Sequence, residues 1–218
     1  MRIERLGEKA LILRDLPCES FRIVNKLNHE TTQDQGLLEA VASYETVGLY
    51  FQSPCADLPK VHSWLSQVAL QPFEDDEQPI VIELPVCYEM GEDLDRAARQ
   101  LGISPDNLIE YHLQNEYTCY AVGFSPGFAY LGYLSREILN LPRLSSPRVR
   151  VEPGSVGITG RQTAVYPSAT PGGWNLIGRC PLELVNVEDE YFPVEAGNRV
   201  SFVRVDEAEF TRLKGERL

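Results

Sequence analysis

His112 is the first residue of this sequence that could do chemistry, and most of the other candidates follow it between Tyr120 and Val187. An imidazole changes charge near neutral pH, which makes His112 the natural acid–base candidate of the region. It also shares a helical face with Leu108, Ile109 and Leu113, so a hydrogen-bonded core histidine is the competing reading. His29 and His62 read as solvated helix-surface residues. Arg143 and Arg148 stand in a PR-x4-R pattern within Pro142-Arg143 and Pro147-Arg148. Five extended residues span about 17 Å, but proline turns can bring both guanidinium groups to one site. There they would grip a carboxylate or phosphate bidentately; the alternative is surface ion pairing, which contributes little.

Gln162, Thr163 and Tyr166 offer polar tips at an expected strand end, suited to orienting a small amide or acid. Trp174, in the rigid turn Thr170-Pro171-Gly172-Gly173-Trp174, is either a pocket wall or a barrel plug. In Phe124-Ser125-Pro126-Gly127-Phe128, Pro-Gly favours a type II turn with glycine at the positive-φ position. Ser125 sits in no GxSxG context, so a serine nucleophile is not expected. Pro153-Gly154-Ser155-Val156-Gly157-Ile158 lacks the GK[ST] ending of a phosphate loop. HExxH and GxGxxG are absent, as is any His–carboxylate cluster at metal spacing, so no metal is expected.

Charge narrows the partners. With 20 Lys and Arg against 32 Asp and Glu, the chain carries a formal −12, which argues against nonspecific binding to nucleic acid or to an anionic membrane. Tyr120–Asn186 reverses the balance locally, with six Arg and three Glu, as a local anion site would. Five scattered cysteines without a CxxC pair read as reduced thiols in a cytoplasmic protein. The charged N-terminal run does not read as a secretion signal, and no apolar run approaches the ~18 residues that cross a bilayer.

The elements that must position these residues fall into two halves. Residues 1–78 read as an α+β sandwich: strands at Arg2–Leu6, Ala10–Arg14, Leu37–Ser43 and Val47–Gln52, with helices at Pro17–Asn28 and Asp57–Ala69, the second capped by Asp57. The run Glu74-Asp75-Asp76-Glu77 resists packing, so the domain boundary is placed in Gln71–Gln78. Residues 79–218 open with a strand at Ile80–Val86. A helix follows at Asp93–Leu101, stopped by Gly102, and then a helix capped by Ser104 with Pro105 first. From Tyr117 the pattern is mostly β, closed or nearly so. The candidate strands are Val149–Val151, Ser155–Thr159, Thr163–Tyr166, Leu176–Gly178, Leu182–Val187 and Val200–Val205. The charged tail Asp206–Leu218 reads as a short or frayed helix.

The segments GFSPGFAYLGYL, LPRLSSPRVRVEPGSVGITGRQTAVYPSATPGGW and NLIGR resemble the signature of the KipI/5-oxoprolinase family, whose enzyme member is the B component of 5-oxoprolinase. The family is also called allophanate hydrolase subunit 1-like. The resemblance is dense over roughly Glu110–Val187. It implies a cyclophilin-like β-barrel after the smaller, ferredoxin-like sandwich. It also implies a role in opening 5-oxoproline to glutamate with ATP as co-substrate, in company with an allophanate-hydrolase-subunit-2-like companion and a large hydrolase subunit. Such a chain is expected to be inactive alone, its ATP site shared with a partner. The family also implies two alternatives: a KipI-type inhibitor that binds a sensor histidine kinase, and one half of a biotin-dependent carboxyltransferase site. The family pattern has a histidine in the register of His112.

Overall fold

The opening hairpin pairs β1 (Arg2–Arg5) with β2 (Ala10–Arg14) antiparallel. The chain then enters α1 (Ser20–His29), which buries Ile23, Val24 and Leu27 along one side. A second hairpin joins β3 (Leu37–Ser43) to β4 (Thr46–Phe51). In β4, Val47, Leu49 and Phe51 are buried while Tyr50 is exposed, the period of a strand with one face in a core. The strands lie in the order β1-β2-β4-β3, and every neighbouring pair is antiparallel. α2 (Leu58–Leu70) buries Leu65. This computed structural model describes residues 1–29, 36–54, 58–70 and 81–218; the expected Asp57 cap and the boundary in Gln71–Gln78 lie outside the described residues. The chain divides into two compact units, Met1–Gln78 and Pro79–Leu218.

The second unit starts with β5 (Val81–Val86) and a 3₁₀ turn at Tyr88–Met90. α3 (Leu94–Leu101) ends where Gly102 takes φ 74° and returns its N–H to the carbonyls of Ala98 and Arg99, a glycine C-cap. α4 (Pro105–Leu113) starts on Ser104, whose hydroxyl accepts from Asn107 N–H at 3.1 Å, with proline where no N–H is needed. Then come β6 (Tyr117–Val122), β7 (Ala129–Gly132), β8 (Arg148–Val151), β9 (Ser155–Thr159), β10 (Gln162–Val165), β11 (Thr170–Gly172), β12 (Asn175–Arg179), β13 (Arg199–Arg204) and α5 (Glu207–Leu213). Asp206 caps α5 by accepting from Glu209 N–H.

Seven strands form one sheet in the order β12-β9-β10-β7-β6-β13-β5, with β8 and β11 as a separate ribbon. The sheet's two edges meet: Cys87, just after β5, and Arg179, at the end of β12, exchange both backbone hydrogen bonds at 2.9 Å. That pair closes the barrel. Gly178 makes the seam possible, because a Cβ there would stand 2.6 Å from Val86 Cγ1.

Two clusters share the barrel wall. Val156, Ile158, Val165 and Ile177 point into the barrel. Val151, Ala164, Tyr166, Trp174 and Leu176 form a second cluster on the outside. Strands β9 and β12 are therefore buried on both faces almost throughout.

The fold corrects four strand expectations. Tyr117–Val122, Ala129–Gly132 and Thr170–Gly172 are strands that the turn spacing did not single out. Leu182–Val187 is not a strand. Its Asn186 side chain donates to Glu183 and accepts from the N–H groups of Glu188 and Asp189, and such local bonds compete with a sheet ladder.

Candidate functional site

His112 lies on the inward face of α4, fully buried. Its Nδ1 is 2.7 Å from the Tyr88 hydroxyl and its Nε2 is 2.8 Å from the Thr163 hydroxyl. The Thr163 hydroxyl donates to the Gly157 carbonyl at 3.3 Å, so it accepts from Nε2–H, and Nδ1 accepts from Tyr88. The imidazole thus gives one proton and takes one. The ring stacks on Phe202 with centroids 4.5 Å apart, and the Tyr117 hydroxyl donates to the His112 carbonyl at 2.8 Å. Burial without a charged partner pushes the imidazole pKa down to about 3, so it is neutral at pH 7. Proton transfer to a ligand needs an open ring nitrogen, and both are engaged. The geometry is that of a core hydrogen-bonding residue.

Strand parity separates the expected Gln162–Thr163–Tyr166 group. Thr163 and Val165 face the barrel interior, while Ala164 and Tyr166 face the outer cluster. Gln162 stands one residue from Thr163, on the outward parity, and is half-buried. Trp174 is buried in the outer cluster as its wall. Phe128 meets it edge-on at 5.7 Å, and Tyr130 lies 6.0 Å from it. Burial raises the Tyr166 pKa, and the backbone of Trp174 opposes that rise.

The two arginines have different surroundings. Arg148 is tied to the scaffold through Nη2 and Nε, while its buried Nη1 has no hydrogen-bond partner among the described residues. It donates to Asp93 Oδ2 at 2.8 Å and pairs with Glu92 at 3.3 Å. Asp93 Oδ2 also accepts from Leu176 N–H at 2.8 Å, and its Oδ1 pairs with Arg96 at 3.2 Å. Arg96 in turn donates to Asn175 Oδ1 at 2.6 Å, and Asn175 Nδ2 donates to the carbonyls of Pro142 and Ile158. Burial works to raise the Asp93 pKa, but the bonds from Arg148 and Leu176 outweigh it and hold the carboxyl below its usual range. This network fastens α3 and β8 to β12. Arg143 is exposed, and no carboxylate pairs with it among the described residues. Its charge is felt by the phenols of Tyr130 and Tyr166; burial raises the pKa of both, and Arg143 opposes that rise.

Tyr130, Tyr166 and Trp174 thus gather on the outer barrel face, Tyr130 half-buried and the other two buried, while the exposed Arg143 is near enough for its charge to act on both phenols, which stay protonated at neutral pH. The arrangement suits a small acid whose carboxylate or phosphate meets Arg143. Tyr130, Tyr88, Asp93 and Asn175 were not among the site residues expected from the sequence. The alternation Ala129-Tyr130-Leu131 marks Tyr130 as outward, and Asp93 stands just before α3, but nothing local announces partners 55 and 83 residues away.

Similarity to other proteins adds to this geometry. Residues 1–193 match the family model of the carboxyltransferase domain, subdomain C and D. A protein named as the B component of 5-oxoprolinase, from Bacillus subtilis (strain 168), is 35% identical, over 98% of this chain and 97% of its own. The crystal structure of TTHA0988 superposes with a TM-score of 0.78 at 30% identity, covering 91% of this chain and 40% of that one. This chain therefore spans about two fifths of that protein's length. Urea carboxylase from Kluyveromyces lactis shares the fold, with a TM-score of 0.68 at 18% identity over 97% of this chain and 22% of that one.

Proposed function

The chain belongs to the carboxyltransferase-domain family of subdomains C and D, and we propose that it is the B component of an ATP-dependent 5-oxoprolinase, which opens 5-oxo-L-proline to L-glutamate. One observation carries this reading: 35% identity along 98% of the chain to a protein so named. Kinase inhibition and carboxyl transfer have less support, since the likeness to urea carboxylase at 18% identity is one of fold.

A lactam carbonyl is a poor electrophile. Transfer of the γ-phosphoryl of ATP to the lactam oxygen releases ADP and makes the ring carbon reactive. Water adds to that carbon and the C–N bond breaks, the nitrogen taking a proton, which leaves an acyl phosphate. A second water then attacks the acyl phosphate, giving the free carboxylate and releasing phosphate. In this chain Arg143 receives the substrate carboxylate or the developing phosphate charge. Tyr130 and Tyr166 donate from their phenols, Gln162 orients the ring amide, and Trp174 walls the ring. His112 and Thr163 act through β10 as positioning residues, and Arg148 acts through Asp93. An exposed Arg143 beside the half-buried Tyr130 supports a shared active centre. The allophanate-hydrolase-subunit-2-like companion and the large hydrolase subunit complete it and supply much of the ATP site, and the complex works in the cytoplasm.

The strand order β1-β2-β4-β3 over two helices supports a ferredoxin-like reading of the first unit, its edge strand coming from the N-terminus. The seam-closed sheet supports a cyclophilin-like reading of the second.

Glutamate release from 5-oxoproline and ATP is the test. We expect none from the purified chain, and release when both companions are added. Release by the chain alone, or none from the full set, overturns the shared centre.

A further inference from the structure

Phe124 holds a left-handed backbone, with φ 72°, which a bulky residue adopts only where its surroundings impose it. The residue is nevertheless 64% exposed. The turn beneath it is tight: Phe128 N–H bonds to the Ser125 carbonyl at 3.1 Å, and Gly127 takes φ 69°. A Cβ on Gly127 would stand 2.0 Å from Val185 Cγ2 and 3.5 Å from Phe192 Cδ1, so the turn is pressed against the loop Leu182–Val194. That loop is cinched by reciprocal backbone bonds between Asn186 and Tyr191 at 3.0 and 2.8 Å. It exposes Val187 by 62% and Phe192 by 39%. Beyond an edge-on contact with Phe128 the constrained ring adds little to folding, and exposed apolar side chains on two touching segments mark an interaction surface.

We propose that Phe124, Val187 and Phe192 seat the companion polypeptide, whose docking face carries an apolar recess flanked by basic side chains. The inference rests on the shared-centre reading above and locates its contact. Charge favours such a partner. Glu188 and Glu190 flank the patch with no ion pair among the described residues, whereas Asp189 is taken by Arg217 at 2.7 Å. Continuity with the outer site favours it too. The Phe124 ring meets Phe128 edge-on at 5.4 Å, and Phe128 meets Tyr166 at 5.2 Å. A chain seated on Phe124 therefore stands at the rim of the Tyr130–Tyr166 site. In TTHA0988, moreover, the matching unit is only 40% of a longer chain, so further polypeptide is joined to it there.

Binding of the companion chain to the full-length protein, measured by calorimetry and sedimentation, tests the seat. Phe124→Gly relieves the left-handed constraint, so the isolated variant melts at the wild-type temperature or above it, while its affinity for the companion falls about tenfold or more. Val187→Glu lowers affinity similarly. Glu188→Lys with Glu190→Lys weakens binding and flattens its salt dependence. Val203→Ser, at an exposed position on β13, leaves affinity unchanged. If the wild type does not bind the companion, the shared-centre reading fails and the seat with it. If the wild type, Phe124→Gly and Val187→Glu all bind equally tightly, the seat is wrong and the reading survives. If Phe124→Gly abolishes only self-association of this chain, the patch belongs to a second copy and the proposal is overturned.

Discussion

His112 gives the protein an acid sensitivity with a defined window. In the unfolded chain the imidazole takes a proton below about 6.5, but in the folded chain only below about 3. Between those values the unfolded state holds the extra proton. Stability is therefore full above pH 6.5 and declines toward pH 3 by about 1.4 kcal/mol per unit. Urea unfolding at pH 7, 6 and 5 measures the slope, and His112→Leu removes it. At pH 7 the same variant loses about 2 kcal/mol, because the hydroxyls of Tyr88 and Thr163 lose their common partner. Asp93, whose folded pKa is depressed, adds its own loss only as pH falls through the carboxylate range. The two arginines separate in the same way. Arg148→Ala costs about 3 kcal/mol by leaving the buried Asp93 carboxylate short of a partner. Arg143→Ala changes stability by no more than about 0.5 kcal/mol, and raises KM for the lactam in the reconstituted enzyme about tenfold. Thermal melts and steady-state kinetics on the two variants distinguish their roles.

Single elements were the most legible part of the sequence. Ser104-Pro105 starts α4 and Gly102 ends α3 because capping is local chemistry. The face carrying Leu108, Ile109 and His112 is buried, as its spacing requires. Tyr88 and Thr163, which decide what His112 does, lie 24 and 51 residues away, and only barrel closure brings them together. The Gln162–Thr163–Tyr166 grouping overlooked an available signal, since residues of opposite parity on one strand face opposite sides. At the seam, Gly178→Ala drives a methyl toward Val86. The hydrogen bonds between Cys87 and Arg179 then weaken, and their amide protons exchange about tenfold or more faster, while those of β9 and β10 change little.

At the scale of the whole molecule, the locally positive stretch from Tyr120 to Asn186 pointed to an anion site. Its six arginines nevertheless serve several purposes. Arg148 ties the wall together, Arg161 lies over the Tyr133 ring at 4.7 Å, Arg150 pairs with Glu152, and Arg143 alone of these four faces the phenols without a structural tie. Composition reports charge, but the partition between scaffold and ligand is set by pairings across the chain. β9 and β12 make the same point in another form. A strand hidden on both sides is a party wall between two rooms. Refitting the outer room for a different acid shifts masonry on which the inner room leans. Changes of specificity in this protein are thus channelled into the Gly123–Phe128 and Pro142–Pro147 stretches, whose side chains furnish one room only.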